Sequence, residues 1–291
     1  MENVSTFKII ADANCDMPQS FFKKNDITVL ELIYTLDGVS HTTFDPAVTL
    51  HQFYDRMRDG SDPKTAQITP DQAFAAMDQI LGQGYDVLYF SFSSGISGSY
   101  NSARLAAEDA REKYPERKVI VIDSLCASMG AGLLLYYGVK MQQQGKSIDE
   151  VAQWLENNKL NLCHFFTVED LKYLQKGGRV SKTVAVVGTV LGIKPVLHVD
   201  NEGKLVPVNK VRGRKQSLNA LVDYYETLGD RDRNEIFFIS HGDCEEEANY
   251  VASEMKRRYG LSNYMINGIG PTIGAHSGPG TMALFFLGKH R

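Results

Sequence analysis

Short apolar runs alternate with helical spacings from the first residues onward. Phe7–Ala11 predicts a strand, and Ile27–Leu36, rich in branched residues, predicts another. Asp37-Gly38 is a two-residue hairpin signal, so a two-stranded excursion is expected over residues 30–41. Leu50, Phe53, Tyr54 and Met57 recur at helical spacing, with Thr49 as N-cap and Gly60 as the stop. Thr69-Pro70-Asp71-Gln72 opens a further helix: a capping threonine, proline at the first helical position, and glutamine three residues after the cap. Phe74, Met77, Ile80 and Leu81 form its apolar face. Strand Val87–Ser91, helix Tyr100–Tyr114, strand Val119–Asp123 and helix Ser128–Gln144 follow. The capping box Ser147-Ile148-Asp149-Glu150 then starts a helix with Val151, Trp154 and Leu155 inside.

Around residues 160–165 the pattern restarts with LCHFFTV, and strands are predicted at Lys194–Val199, Lys204–Val208, Glu235–Ser240 and Asn263–Ile269. The first two, joined by Asp200-Asn201-Glu202-Gly203, read as an antiparallel hairpin. Strands alternating with helices imply crossover units. The expected fold is therefore α/β in two domains. Residues 1–160 form a parallel, Rossmann-like sheet with helices on both faces, and residues 161–291 form a mixed α/β domain. No linker separates the halves, so they are expected to pack closely, and a groove between them is a natural ligand site.

Length supports two domains, since 291 residues exceed one comfortable core. No apolar run approaches the roughly 18 residues of a membrane helix, and the window near Val184–Ile193 is broken by Gly188, Thr189 and Gly192, so no stable membrane insertion is expected. The start MENVSTFKIIAD has no basic region ahead of an apolar segment and does not read as a signal peptide. Cys15, Cys126, Cys163 and Cys244 lie far apart without a CxxC, which fits neither a zinc site nor a disulfide framework and points to a reducing cytoplasm. Up to Leu160 the net charge is −7 and beyond it +3. That excess is too small for a nucleic-acid interface. His, Asp and Glu do not cluster at metal-ligand spacing, and Asp243…Glu247 reads as an acidic helix start.

Candidate chemistry begins with SFSSGISGSY at Ser91–Tyr100, directly after the apolar run Val87–Phe90. As a nucleophile it fails the G-x-S-x-G pattern, because Ser99 stands where the last glycine belongs, and no spacing makes a triad with His241 or His276. As a phosphate cradle it lacks both the P-loop and the dinucleotide fingerprint. Its hydroxyls and exposed amides sit where a strand feeds a helix N-terminus, a generic anion site; the plain alternative is that Ser97 or Ser99 only caps the helix. Lys176-Gly177-Gly178-Arg179 exposes an arginine ahead of a helix, free to clamp an anion or to pair with a surface acid. Lys210–Lys215 (KVRGRK) reads as a solvated basic face. His276, before Gly278-Pro279-Gly280, is expected on a loop, where ligand contact is more credible than core packing.

Taken together, IIADANCDMP (Ile9–Pro18), KTAQIT (Lys64–Thr69), SSGISGSYNSA (Ser93–Ala103), VIDSLCASMGAG (Val121–Gly132), FTVEDLKYLQKGGRVS (Phe166–Ser181), IKP (Ile193–Pro195), KVRGRK and HSGPGT (His276–Thr281) resemble the DegV family over nearly the whole chain. That family includes the fatty-acid-binding subunits of bacterial fatty acid kinase. The resemblance implies a two-domain protein that is not itself an enzyme and holds a long-chain fatty acid in an interior tunnel. It makes Thr65, Ser97 and His276 the carboxylate network, with Ser94 and Gly98 as additional head-group contacts. Arg179 and Arg212 resemble positions that face the kinase catalytic subunit. That partner supplies ATP, so the chain needs no cofactor, and the product is an acyl phosphate for phospholipid synthesis. Ala11, Ala13, Ala66, Ile68 and Ser99 depart from the residues usual in these motifs. The rival reading is a serine-dependent lipid esterase or thioesterase using Ser93, Ser94 or Ser97.

Overall fold

Three sheets organise the chain in the computed structural model, which describes residues 6–181 and 192–291. The elements of the first half are β1 (Phe7–Asp12), α1 (Gln19–Lys24), β2 (Thr28–Leu30), β3 (Ile33–Leu36), β4 (Val39–Thr42), α2 (Leu50–Arg58), β5 (Lys64–Thr65), α3 (Pro70–Leu81), β6 (Asp86–Ser91), α4 (Ser99–Lys113), β7 (Val119–Asp123), α5 (Ser128–Gln143) and α6 (Ile148–Asn158). The second half adds β8 (Leu162–Thr167), α7 (Lys172–Lys176), β9 (Ile193–Val199), β10 (Leu205–Arg212), α8 (Arg214–Leu228), β11 (Phe237–His241), α9 (Glu245–Tyr259), β12 (Tyr264–Gly268), α10 (Pro271–Ser277) and β13 (Met282–Leu287).

The first sheet runs β2-β1-β6-β7 with every pair parallel. Its strands are apolar on both faces because both are covered. Ile10, Val87 and Tyr89 pack under α3 and α4. The alternate residues Ile9, Leu88 and Phe90 face α5, as the two-residue period of a strand requires. The predicted cap residues Thr49, Thr69 and Ser147 each close a full capping box. The second sheet runs β10-β9-β8-β13-β11-β12, antiparallel except for β11 with β12. Cys163, Phe165, Leu284 and Phe286 face α8 and α9, while Phe166, Ala283 and Phe285 face α5. Helix α5 is therefore sandwiched between two sheets, which is why its sequence is apolar nearly all round.

The single strand expected over Ile27–Leu36 is instead two. Its first part joins the parallel sheet, and its second part turns away to form the predicted hairpin with β4. The break falls at Leu32, whose backbone N–H and C=O both bond the Thr43 hydroxyl, so a side chain replaces the strand partners there. β5 adds a third strand to that hairpin by pairing with β3. The helix expected after Arg179 and the window at 184–193 fall largely outside the described residues. No helix among the described residues is long and apolar enough to cross a membrane.

The serine-rich loop is pinned to the β9–β10 turn. Ser93 Oγ donates to the Gly203 carbonyl at 2.8 Å. A Cβ at Gly95 would lie 2.5 Å from the Glu202 carbonyl oxygen and 2.7 Å from the Gly203 carbonyl carbon. Backbone on both sides leaves no flexible side chain to move. Gly95→Ala is accordingly expected to cost about 1–3 kcal/mol and to lower the melting temperature by several degrees. Co-melting of variant and wild type would show that the turn yields freely.

Candidate functional site

A cavity enclosing about 1040 Å³ of atom-free space, its mouth included, lies between the two large sheets. Its wall is built from both halves: Leu32, Phe92 and Ile96 on one side, Phe166, Leu174, Val199, Ile273 and Phe285 on the other. Polar groups gather where β5, the Ser91–Tyr100 loop and α10 meet: Thr65, Ser97, Gly98, Arg179 and His276 all line the cavity. Among the described residues, no Asp or Glu lines it. A site with one guanidinium and several neutral donors, and no carboxylate, suits a lipid-like anion.

The sequence order hides how these residues converge. Thr65 reaches the cavity because β5 pairs with Tyr34 of β3. His276 does not sit on a loop as expected. It lies in the last turn of α10, a seven-residue helix opened by Pro271 and closed at Gly278, whose positive φ ends it. The Gly-Pro-Gly turn follows the helix instead of excluding it. His276 Nε2 lies 2.8 Å from Thr65 Oγ1. Its Nδ1 packs so closely over Gly177 that a Cβ there would approach within 2.3 Å. Burial, with the Arg179 and Lys64 cations nearby, pulls the His276 pKa down to about 4, so the ring is neutral at pH 7.

If neutral His276 carries its proton on Nε2, it donates to Thr65 Oγ1 and frees the threonine proton for a cavity anion. Ser97 Oγ accepts from the Ser99 amide at 3.2 Å and lies 3.0 Å from Ser99 Oγ. Ser99 Oγ in turn accepts from the Ile68 amide at 3.3 Å, so the two serine hydroxyls share one bond in which either can donate, and of the two serines Ser97 lines the cavity. Gly98 allows this approach, since a Cβ there would lie 2.0 Å from Gln67 Oε1. Gln67, which also lines the cavity and bonds Ser102 Oγ at 3.3 Å, carried no sequence signal beyond its place in KTAQIT.

The other serines of the loop have structural work. Ser91 Oγ donates to the buried Asp12 carboxylate at 2.9 Å, alongside the Tyr89 hydroxyl and the Phe92 amide. Ser94 is exposed, with its amide on Asp123, and does not line the cavity. No histidine bonds a serine of this loop among the described residues. His276 bonds Thr65, and His241 Nδ1 accepts from the Cys244 amide.

Arg179 is half-buried and lines the cavity, with Nε on the Ile96 carbonyl at 3.3 Å and Nη1 on the Gly177 carbonyl. Burial lowers its pKa. It thus straps the KGGR turn to the serine loop. Arg212 ends β10, exposed, with no ion-pair partner among the described residues. Arg214 departs from the solvated face expected of KVRGRK. It pairs with Glu247 through two nitrogens and reaches the Gly280 carbonyl at 2.6 Å, holding the turn that follows α10. Among the described residues one group with metal-ligand geometry does arise, His51, Asp55 and Asp243, the last brought in from a position 188 residues beyond Asp55. Arg58 already bonds both of its carboxylates and takes the cation's place.

Comparison with known proteins sharpens this picture. A family model described as an uncharacterised protein of the DegV family matches residues 6–289. A DegV domain-containing protein of Clostridium perfringens is 40% identical over 283 residues, 97% of each chain. Among solved structures, a DegV lipid-binding protein of Thermotoga maritima is 30% identical with a TM-score of 0.84, covering 98% of this chain and 99% of that one. A fatty acid (stearic acid)-binding protein of Eubacterium ventriosum is 27% identical with a TM-score of 0.86, covering 97% and 98%.

Proposed function

The chain belongs to the DegV family, and from that premise we propose that it binds a long-chain fatty acid in the cavity and presents the carboxylate to a partner kinase. The observation that carries the reading is the convergence of the Thr65 and Ser97 side chains with neutral His276 at one end of a cavity that has apolar walls and, among the described residues, no acidic one. Burying roughly fifteen methylenes at about 0.8 kcal/mol each supplies on the order of 10 kcal/mol before ordering costs, so affinity comes from the chain. The head group then needs orientation more than attraction. Neutral hydroxyls satisfy carboxylate lone pairs while leaving an oxygen free to attack the γ-phosphate of ATP. A tight ion pair would blunt that nucleophile. Arg179, engaged with backbone carbonyls through Nε and Nη1, stands at this end of the cavity, where an incoming kinase would meet it. Exposed Arg212 offers a second contact.

Mass spectrometry of an organic extract of the purified protein is expected to yield a long-chain fatty acid, and an active-site serine probe is expected to label nothing. Labelling at Ser93, Ser94 or Ser97 would favour the esterase reading instead. Arg179→Ala is expected to keep its lipid and lose phosphorylation by the kinase. An Arg179→Ala protein purified empty, yet phosphorylated normally once reloaded, would reverse that assignment.

A further inference from the structure

Several polar groups line the cavity besides the carboxylate clamp, and most are satisfied within the protein. Ser128 and Ser240 bond each other at 2.9 Å, and Thr281 Oγ1 lies 2.9 Å from the carbonyls of Ser277 and Gly278. His164 uses both ring nitrogens, on the Leu162 carbonyl at 3.0 Å and the Ala127 amide at 3.2 Å. Asn14 differs. Its Oδ1 accepts from Thr272 Oγ1, but its Nδ2, with two protons to give, bonds no group among the described residues. Nor is that nitrogen shut away. The side-chain polar atoms that are both unpartnered and sealed, among the described residues, are Arg214 Nη1, Tyr225 Oη and Ser277 Oγ. Asn14 is itself only 5% exposed, and its neighbours Ala13, Cys15 and Asp16 are buried, so the surface its amide keeps faces the cavity it lines.

Position narrows what the amide meets there. Thr272 precedes His276 by four residues, one turn of α10, which puts their side chains on one face with Cβ atoms about 5–6 Å apart. His276 bonds Thr65 at the clamp, and Thr272 bonds Asn14. The Asn14 amide thus stands about one helical turn along the wall from the carboxylate. An extended chain advances about 3.5 Å for every three bonds, so the amide meets an acyl chain about five bonds from the carboxyl carbon. A methylene at that point leaves the N–H groups unmet. An oxygen on the chain meets them without immobilising a water, and a hydroxyl, which both donates and accepts, satisfies either end of the amide.

Resting on the fatty-acid reading above, we propose that Asn14 sets specificity by taking a hydroxyl on the acyl chain, so that the preferred cargo is a fatty acid hydroxylated about five bonds from its carboxyl carbon. The test is the affinity of delipidated wild type and Asn14→Leu for stearate and for 2-, 6- and 12-hydroxystearate. Wild type is expected to bind the 6-hydroxy acid about tenfold more tightly than stearate, with no such gain for the other two isomers. Asn14→Leu, similar in volume but apolar, is expected to lose that preference and to bind stearate at least as tightly as wild type does. Retained stearate binding also reports that the variant is folded; should it not fold, the comparison within wild type decides. Wild type binding stearate as well as the 6-hydroxy acid would overturn the proposal and leave the fatty-acid reading standing. An equal gain for all three isomers would overturn it too, as would a preference that survives in Asn14→Leu. If wild type binds none of the four acids, the fatty-acid reading falls and this one with it.

Discussion

Replacing Thr65 by Val and Ser97 by Ala together is expected to weaken fatty-acid binding by two orders of magnitude or more while leaving the fold intact. Each hydroxyl gives a hydrogen bond to a charged acceptor, worth about 1.5–3 kcal/mol when lost, or roughly tenfold to a hundredfold in affinity. The two losses need not add, because both donors serve one carboxylate. Thr65→Val keeps the branched shape that β5 presents, and Ser97→Ala gives up bonds with Ser99 alone, at the start of α4, a helix whose N-cap Gly98 makes no side-chain bond. The diagnostic is the head group. The double variant is expected to bind the matching fatty alcohol nearly as wild type does, since the alcohol has no anion to lose. Displacement of a fluorescent fatty acid by each competitor measures both. An equal loss for acid and alcohol would mean that the substitutions reshape the wall rather than remove a clamp. No loss for either would remove Thr65 and Ser97 from the site.

Why these residues were legible in sequence, and others not, has a physical answer. The strand–helix alternation of the first half survives because a parallel sheet buried on both faces demands continuous apolar runs, and Phe7–Asp12 and Asp86–Ser91 supply them. Local rules read correctly where the interaction is local: the boxes at Thr49, Thr69 and Ser147 close within three residues. They failed where a distant group decides. Nothing near Leu32 announces that Thr43 will take over its backbone bonds and split a strand. His276 was singled out for its proximity to Gly-Pro-Gly, yet its helix is set by Pro271, five residues earlier.

The serine-rich loop teaches the same lesson within ten residues. Composition marks it as polar, but only the fold tells its serines apart. Ser91 serves Asp12, Ser93 holds the Gly203 turn, Ser94 faces solvent, Ser99 accepts from the Ile68 amide, and of these serines Ser97 alone lines the cavity. Family resemblance named Ser97 and Thr65. The geometry brings the two into one cavity, Thr65 beside His276 and Ser97 beside Ser99.

Asp16 carries the second large effect, in stability and not in binding. Its carboxylate is buried at the junction of the halves, accepting from Ser128 Oγ and from the Gly270 amide at 2.9 Å, while its carbonyl accepts from Asn267. Gly270 is the residue from which α10 starts, so Asp16 anchors the helix that carries His276 and Ser277. Burial raises its pKa to about 7, with the Ser128 and Gly270 bonds only partly offsetting the loss of water. A carboxyl raised above its unfolded value of 3.8 binds its proton more readily in the folded state. Its contribution to stability is thus fully present below about pH 4 and is lost as the pH rises through 7. Asp16→Asn removes the ionisation while keeping the shape and one acceptor oxygen. Relative to wild type, the variant is expected to gain stability steadily from pH 4 to pH 8, by up to about 4 kcal/mol. Near pH 4, where wild type is also neutral at this position, the two should nearly coincide, or the variant should be slightly weaker for the acceptor it gave up. Asp12, also raised by burial, titrates in both proteins and cancels in the difference. Urea unfolding of both at pH 4.5, 6 and 7.5 measures this, and parallel stability curves would show that Asp16 is ionised throughout, its charge held by Ser128, Gly270 and the N-terminus of α5.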